Sequence, residues 1–228
     1  MSFQIVRNDI TKMKTDVVVN AANTQLKYGS GVCGAVFNAA GKEKLIAEGK
    51  RLWNKEEAEY AKQVGITQLG FTDHVPVSEL EYQDSEQRMH ISDVDEYITS
   101  IHQLQQENPN MKILVSFEAE YDSKKEEFLC ELREKVDYMI LGQHFMPNQI
   151  PQKNNPNYPI EYAEILCRAM ESGIFDIVAH PDIFMQHRDS LDSEEKKEEF
   201  MRNAKIASKK ICEKAKELGI PLEFNFAG

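Results

Sequence analysis

The sequence predicts an α/β fold built on a mainly parallel sheet, either open or closed into a barrel. Five short apolar runs follow one another along the chain, and charged helical segments separate most of them. Strands that alternate with helices are typical of parallel sheets, because each crossover between parallel strands needs a long connection. The runs are Ile66 to His74, Ile113 to Glu118, Met139 to His144, Ile177 to His180 and Leu222 to Asn225.

The segments between these runs show the periodicity and end signals of amphipathic helices. The first predicted helix runs from Glu56 to Gly65, where the glycine provides a stop. Ala58, Ala61 and Val64 could share one face of this helix. The last predicted helix runs from Glu194 to Leu218 and follows a serine, a residue type that caps helix N-termini.

Composition places the chain among ordinary globular proteins. Its 228 residues include 27 Lys+Arg and 38 Asp+Glu, a formal net charge of −11, and 41% are hydrophobic. This balance argues against a nucleic-acid or anionic-membrane partner, because phosphate binding needs a basic face. No apolar run approaches the ~18 residues of a membrane span, and the N-terminus lacks a signal-peptide pattern, so we expect a cytoplasmic protein.

The four cysteines do not form a motif. They are widely spaced and include no Cys-x-x-Cys pair. In a long chain of this kind we expect them to be small buried hydrophobic residues rather than a disulfide framework or a zinc site. They are Cys33, Cys130, Cys167 and Cys212.

Side chains that can bind a metal stand at the ends of four of the five apolar runs. In a β/α barrel the carboxyl ends of the strands converge on one face, so these groups would meet there. A lone histidine is more often structural or solvated than a metal ligand. His90, His102 and His187 lie in polar or helical contexts, and we interpret them as solvent-facing. Three histidines at matching strand ends indicate a site instead. The candidate ligands are His74, Glu118, His144 and His180.

Imidazoles combined with a carboxylate suit zinc, iron or manganese better than magnesium, which prefers oxygen ligands. Several such metals close together are the usual arrangement for metal-assisted hydrolysis of a phosphate ester. Glu120 is a rival of Glu118, because alternation along a strand places both side chains on the same side. We prefer Glu118 as the metal ligand, since it comes first after the apolar run. Glu120 could instead orient a metal-binding side chain by a hydrogen bond, without contacting the metal itself.

Five sequence motifs, taken in order, resemble the PHP superfamily, and most closely its histidinol-phosphatases, over residues 54 to 228. They are Thr72-Asp73-His74, Phe117-Glu118-Ala119-Glu120-Tyr121, Leu141-Gly142-Gln143-His144-Phe145, Ala179-His180-Pro181-Asp182 and Leu222-Glu223-Phe224-Asn225. The resemblance implies a distorted (β/α) barrel with a multinuclear centre of zinc, manganese or iron. It also implies hydrolysis of histidinol phosphate to histidinol and phosphate, a step of histidine biosynthesis.

The same resemblance implies roles for individual residues. His74, Glu118, His144 and His180 would be metal ligands, with Glu118 bridging, and Asn225 would sit near the site at the end of a strand. The family also has a His-x-His pair in its first strand and an Asp-x-His pair in its last, and this sequence has neither. We therefore expect an incomplete, truncated PHP barrel with lowered metal affinity and weakened or abolished hydrolysis.

An incomplete barrel has consequences for its strands. As a structural hypothesis, Val17 to Asn20 pairs in the gap left by the first strand and brings Asn23 to the rim. Even then, the metal site would lack ligands, because asparagine replaces histidine poorly. Exposed strand edges invite association, so a homo-oligomer that covers them is a reasonable expectation.

The first 48 residues resemble the start of a macrodomain, the ADP-ribose-binding module, as a β-β-loop-α fragment. The matching motifs are Val6-Arg7-Asn8-Asp9-Ile10-Thr11, Val18-Val19-Asn20-Ala21-Ala22-Asn23, Gly29-Ser30-Gly31-Val32 and Ala39-Ala40-Gly41. The resemblance implies that Asp9 faces the adenine, Asn23 the distal ribose, and the loop from Gly29 through Gly31 to Val32 the diphosphate. About a fifth of the chain is too small to enclose such a ligand.

Three functional interpretations follow from the sequence. The leading one is a metal-dependent phosphomonoesterase acting on a small phosphorylated metabolite. Arg88, Arg168 and Arg188 are candidates for its phosphate site, although each could equally be a solvated charge. The alternatives are an ADP-ribose-binding module that uses Asn20, Asn23 and the glycine loop, and a chimeric gene product without evolved activity.

Overall fold

The computed structural model describes residues 17–21, 50–76, 88–89, 91–144, 146 and 154–224. These residues fall into two compact units, one ending at Ser116 and one running from Phe117 to Phe224. Several predictions lie outside the described residues. They concern Asp9, Asn23, Gly29, Gly31, Val32, Cys33, His90 and Asn225.

Strands and helices alternate along the described chain, as the sequence predicts. The strands are β1 (Val17–Ala21), β2 (Gln68–His74), β3 (Lys112–Ala119), β4 (Tyr138–Leu141) and β5 (Ile177–Val178). The α-helices are α1 (Lys50–Gln63), α2 (Val94–Glu107), α3 (Glu126–Arg133), α4 (Tyr158–Glu171) and α5 (Glu194–Leu218). Short 3-10 helices occur at Ile91–Asp93, Ser123–Lys125 and Ile183–Ser190. The predicted α/β fold with a parallel sheet is confirmed.

In the first unit the strand order is β1-β2-β3. Strand β1 pairs in parallel with β2, with Val17 opposite Gln68 and Ala21 opposite Thr72. The pairing expected for Val17 to Asn20 is therefore present. This alignment gives the edge of β2 a hydrogen-bonded neighbour, which removes an unpaired strand edge at that position.

The helices of the first unit bury one apolar face each. Helix α2 buries Val94, Ile98, Ile101 and Leu104, whose spacing of three to four residues follows the helical period. In α1, Ala58 and Ala61 are buried, but Val64 is 48% exposed. Val64 does not continue the face of Ala58 and Ala61, because α1 ends at Gln63, one residue before it.

In the second unit the strand order is β3-β4-β5, and β4 pairs in parallel with β5. The predicted strand at Leu222 to Asn225 is reduced, in its described part, to a single parallel bridge between Leu222 and Val178. Because the strands are parallel, the residues that follow their carboxyl ends reach the same edge of the sheet. Glu118, His144 and His180 all lie at or just after such ends.

Helices α4 and α5 supply most of the second unit's helical core. Helix α5 buries a stripe of small and aromatic residues, and α4 buries Tyr162 and Leu166 completely. The predicted start of α5 is confirmed, since the Ser193 hydroxyl accepts a hydrogen bond of 3.3 Å from the Lys196 N–H. Gly219 ends the helix with a φ of 71°, a left-handed conformation that suits glycine.

Three predictions about single residues are corrected by the structure. Cys167 is buried, but Cys130 and Cys212 are exposed, and all three are free thiols. His102 is exposed as expected, whereas His187 packs edge-on against the Tyr158 ring, with centroids 4.7 Å apart. Partial burial lowers the pKa of His187. Within the described ranges, no helix has the length and apolar character needed to cross a membrane.

Candidate metal centre

A buried carboxylate, Glu118, forms the middle of the site in the second unit. It occupies the carboxyl end of β3 and is only 6% exposed. Its Oε1 atom lies 2.8 Å from Nε2 of His180 and 3.6 Å from Nε2 of His144. A buried carboxylate is costly unless charged or hydrogen-bonding partners surround it. His180 supplies such a partner through its hydrogen bond, and His144 approaches the same oxygen atom.

Gly142, directly after β4, makes room for this carboxylate. A Cβ atom at residue 142 would lie 2.0 Å from Oε1 of Glu118 and 2.7 Å from its Cγ. The Gly142 N–H donates to the Ala119 carbonyl at 3.1 Å, so the glycine backbone extends the pairing of the two strands. The Glu118 carboxylate lies directly against the backbone of Gly142, so only a residue without a side chain fits at this position.

His144 follows β4 and makes a contact through each of its ring nitrogens. Its Nδ1 atom lies 3.2 Å from Oε1 of Glu120, while its Nε2 atom faces Glu118. An ionised carboxylate only accepts hydrogen bonds, so the proton is assigned to Nδ1. The Nε2 lone pair is then directed towards the buried carboxylate. Histidines that bind metals commonly donate their other N–H to a carboxylate in this way.

His180 follows β5 and has an unusual backbone. Its φ is 31°, a left-handed value that is uncommon for residues other than glycine and carries strain. The His180 N–H donates to Oε2 of Glu223 at 2.9 Å. Glu223 is itself fixed because its own N–H donates to the Val178 carbonyl at 2.7 Å. The segment paired to β5 therefore holds His180 in a conformation that brings its ring to Glu118.

The electrostatics of His180 reflect two opposing effects. Burial lowers the pKa of its imidazole, but the hydrogen bond and charge of Glu118 outweigh burial, so the pKa lies above its ordinary value. The rings of His144 and His180 are close, with centroids 4.7 Å apart. Both rings therefore lie beside the Glu118 carboxylate.

The residues of this site fit a divalent first-row metal. Ligand atoms of Glu118 and His144 lie within 4.8 Å of each other, close enough to hold one ion. Nε2 of His180 is closer to Glu118, at 2.8 Å from Oε1. The His180 Nδ1 atom is buried and has no hydrogen-bond partner among the residues that the structure describes. Buried polar atoms left in that state are rare and often mark ligand sites. Two imidazoles and a carboxylate are typical donors for zinc, manganese or iron.

The structure places the other predicted site residues as follows. His74 ends β2 in the first unit, and its N–H donates to the adjacent Asp73 at 2.7 Å. Arg168 is exposed on α4, where its Nε donates to the Glu164 carbonyl at 3.4 Å. Arg188 is exposed in a 3-10 helix and Arg88 is partly exposed in the first unit. In the described structure, neither Arg168 nor Arg188 forms an ion pair with the buried carboxylate.

Three residues of the site were missed by sequence reasoning as contributors. Gly142, Gln143 and Glu223 all lie within the motifs that resemble the PHP superfamily. Their contacts are with residues of other strands, so a motif shows that these residues match the family but not what they contact. The sequence offered one signal, a polar residue within an apolar run, which is Gln143.

Comparisons with known proteins agree with this architecture. The PHP domain family matches residues 54–225 of the chain. A Deinococcus radiodurans protein assigned as a histidinol-phosphatase is 29% identical over 148 residues, which cover 57% of this chain and 54% of that protein. A macro domain-containing protein of Listeria monocytogenes is 41% identical over 70 residues, 31% of this chain and 39% of that protein. The chain thus spans about half the length, or less, of these curated relatives.

A solved structure has the same fold. Histidinol phosphate phosphatase from Lactococcus lactis, crystallised with zinc, L-histidinol and phosphate, superposes with a TM-score of 0.53. The match covers 75% of this chain and 65% of that protein, at 17% identity. The family match extends over more than half of the sequence and includes Glu118, His144 and His180. The chain therefore belongs to the PHP domain family.

Proposed function

We propose that this protein is a metal-dependent phosphomonoester hydrolase that converts histidinol phosphate and water to histidinol and phosphate. The observation that carries the proposal is the buried Glu118 carboxylate between two imidazoles at one edge of a parallel sheet. Family membership and a relative assigned as a histidinol-phosphatase support the reaction class. The Lactococcus lactis structure with histidinol and phosphate supports the substrate.

The ligand set in this proposal is Glu118, His144 and His180, with His74 as a further ligand by its position at the end of β2. Glu118 would hold metal together with His144 and His180, because one of its oxygens faces both imidazoles of the second unit, and the family resemblance implies that it would be shared between metals. A bound zinc, manganese or iron ion would act as a Lewis acid on the phosphate ester. Glu120 holds the proton on His144 Nδ1, and burial of Glu118 limits access of bulk water to the carboxylate.

The remaining parts of the proposal concern the substrate phosphate and the organisation of the chain. Arg88, Arg168 and Arg188 are the candidate cations for the phosphate, and the exposure of the last two leaves them accessible to solutes. We further propose that a macrodomain-like segment, residues 1–48, precedes a PHP domain, residues 54–228. Because the sequence has no His-x-His pair, we expect slow turnover.

Activity is tested by phosphate release from histidinol phosphate with zinc- or manganese-loaded protein. We expect release above a metal-only blank, and a loss of at least about 100-fold in kcat/KM for His180→Ala, because a metal ligand and the partner of Glu118 are removed. His102→Ala is the matched control, since His102 is exposed on α2. Wild-type protein that releases no phosphate above the blank refutes an active enzyme and leaves the family assignment unchanged.

The similarity to macro domain-containing proteins supports ADP-ribose binding as the alternative function. Asn20, Asn23 and the loop Gly29 to Val32 would contact this ligand. We expect calorimetric titration with ADP-ribose to give millimolar affinity or no heat, because the fragment is too small to enclose a dinucleotide-sized ligand. A micromolar dissociation constant would instead establish the alternative function.

A further inference from the structure

Gln143 is a buried polar residue that connects the ends of two strands. It follows β4 and is only 1% exposed. Its side-chain Oε1 accepts a hydrogen bond of 2.8 Å from the Tyr121 N–H, and its Nε2 donates to the Tyr121 carbonyl at 3.4 Å. The amide thus pairs with both backbone polar groups of one residue, as a neighbouring strand would. We call these two hydrogen bonds the Gln143 clamp.

The Gln143 clamp binds the backbone of Tyr121, whose side chain makes contacts of its own. The Tyr121 hydroxyl donates to Oε2 of Glu126 at 2.8 Å, and its ring packs edge-on against Phe175, with centroids 6.4 Å apart. Burial and the nearby Glu126 carboxylate raise the pKa of Tyr121 to about 12, so the phenol keeps its proton near neutral pH. Tyr121 thus has side-chain contacts of its own, and Gln143 pairs with its backbone.

The residues next to the clamp are the ones that meet in the site. Glu120 precedes Tyr121 in the chain, and His144 follows Gln143. The strand pairing reaches Gly142, whose N–H donates to the Ala119 carbonyl at 3.1 Å. The clamp joins the two chain segments one residue beyond the hydrogen bond between Gly142 and Ala119. Between the clamp and this bond lies Glu120, whose Oε1 is 3.2 Å from Nδ1 of His144.

We propose that Gln143 is a positioning residue: its clamp on the Tyr121 backbone keeps Glu120 on Nδ1 of His144 and so directs Nε2 towards Glu118. The effect on metal affinity rests on the proposed metal centre, but the effect on the His144 ring does not. When the clamp is lost, the ring can rotate and the proton can move to Nε2, where it competes with a cation.

The test compares Gln143→Met, which has similar length and cannot form the clamp, with Asp176→Ala. Asp176 is a matched control because its Oδ2 accepts from the Met139 N–H at 2.9 Å, at the opposite end of β4. Cobalt(II) titration measures metal affinity, and thermal unfolding of metal-free protein measures stability. We expect Gln143→Met to weaken cobalt binding about 10- to 100-fold, which is the typical effect of removing a residue that orients a metal ligand. Asp176→Ala is expected to lower Tm and to leave cobalt affinity within twofold of wild type.

A second measurement needs no metal. Long-range nitrogen NMR of histidine-labelled, metal-free protein reports which ring nitrogen of His144 carries the proton. We expect the Nδ1–H form in wild type and a mixture in Gln143→Met. Gln143→Glu keeps an acceptor for the Tyr121 N–H but loses the donor to the Tyr121 carbonyl. Because it retains the shorter bond of the clamp, it should keep part of the Nδ1–H form, and it remains a test if Gln143→Met does not fold.

The outcomes separate the two proposals. Wild-type protein that binds no cobalt contradicts the metal centre, while the NMR comparison still decides the role of Gln143. The role of Gln143 is overturned if Gln143→Met keeps the wild-type form of His144, or if Gln143→Glu loses that form entirely. It is also overturned if Gln143→Met binds cobalt as wild type does, or if Asp176→Ala weakens binding equally.

Discussion

Glu118→Gln is expected to reduce zinc affinity by more than about 100-fold, because the substitution removes the charge that both imidazoles share. The carboxylate is buried and one of its oxygens faces both His180 and His144. A neutral amide of the same shape keeps the packing but binds a divalent cation weakly. Zinc should raise the Tm of the wild-type protein by selective binding to the folded state, and should leave the Tm of Glu118→Gln unchanged.

The matched control for this substitution is Glu213→Gln. Glu213 is exposed on α5, where its carboxylate lies 3.7 Å from Lys209, and such surface ion pairs contribute little to stability. Its variant should bind zinc as wild type does. Equal zinc affinity in Glu118→Gln and wild type would show that the bound metal lies elsewhere in the protein.

Gly142→Ala is expected to displace the Glu118 carboxylate, because the added methyl group would lie 2.0 Å from Oε1 of Glu118. Overpacking of this kind typically costs about 1–3 kcal/mol of the free energy of unfolding. Metal affinity should fall by about tenfold or more, since the carboxylate must move away from His144 and His180. Urea denaturation and zinc titration of the same preparation measure both effects.

A double-mutant cycle identifies the cause of the Gly142→Ala effect. The nearest atoms to the added methyl are Oε1, Cδ and Cγ of Glu118, all of which Glu118→Ala removes. In the Glu118→Ala background, Gly142→Ala should therefore be neutral or stabilise by up to about 1 kcal/mol, through lower entropy of the unfolded chain. The same destabilisation in both backgrounds would locate the strain in the backbone instead.

The sequence predicted the strands and their ends well because these depend on local patterns. The apolar runs that end at His74, Glu118 and His180 correspond to β2, β3 and β5 with small differences at the ends. A continuous apolar run indicates a strand buried on both faces, which is how parallel strands pack. In a parallel sheet, residues at the carboxyl ends of neighbouring strands lie at the same edge. This topology brings Glu118, His144 and His180 together in the second unit.

The errors came from features that depend on neighbours in space or on exact helix faces. Cys130 follows the buried Leu129 in α3, and Cys212 follows the buried Ile211 in α5, so each falls on the exposed side of its helix. Helical periodicity contains this information, but a general tendency of cysteine to be buried was used instead. Val64 does not share the face of Ala58 and Ala61, because α1 ends one residue before it, and sequence patterns do not locate helix ends to one residue.

Contacts within the site were harder to predict for a different reason. The need for glycine at residue 142 arises from the Glu118 side chain on the adjacent strand, and the left-handed backbone of His180 is held by Glu223, 43 residues later. Neither relation has a signature in local spacing. Glu120 was expected to lie on the Glu118 side of the strand, and its contact with Nδ1 of His144 gives that position a physical role.

The most direct measurement is an anomalous difference map from a crystal of zinc-loaded protein, recorded at the zinc absorption edge. The account predicts a peak at about 2.0–2.2 Å from a Glu118 oxygen and from ring nitrogens of His144 and His180. A map with no peak beside Glu118 from fully loaded crystals, or with zinc bound only by other residues, would contradict it.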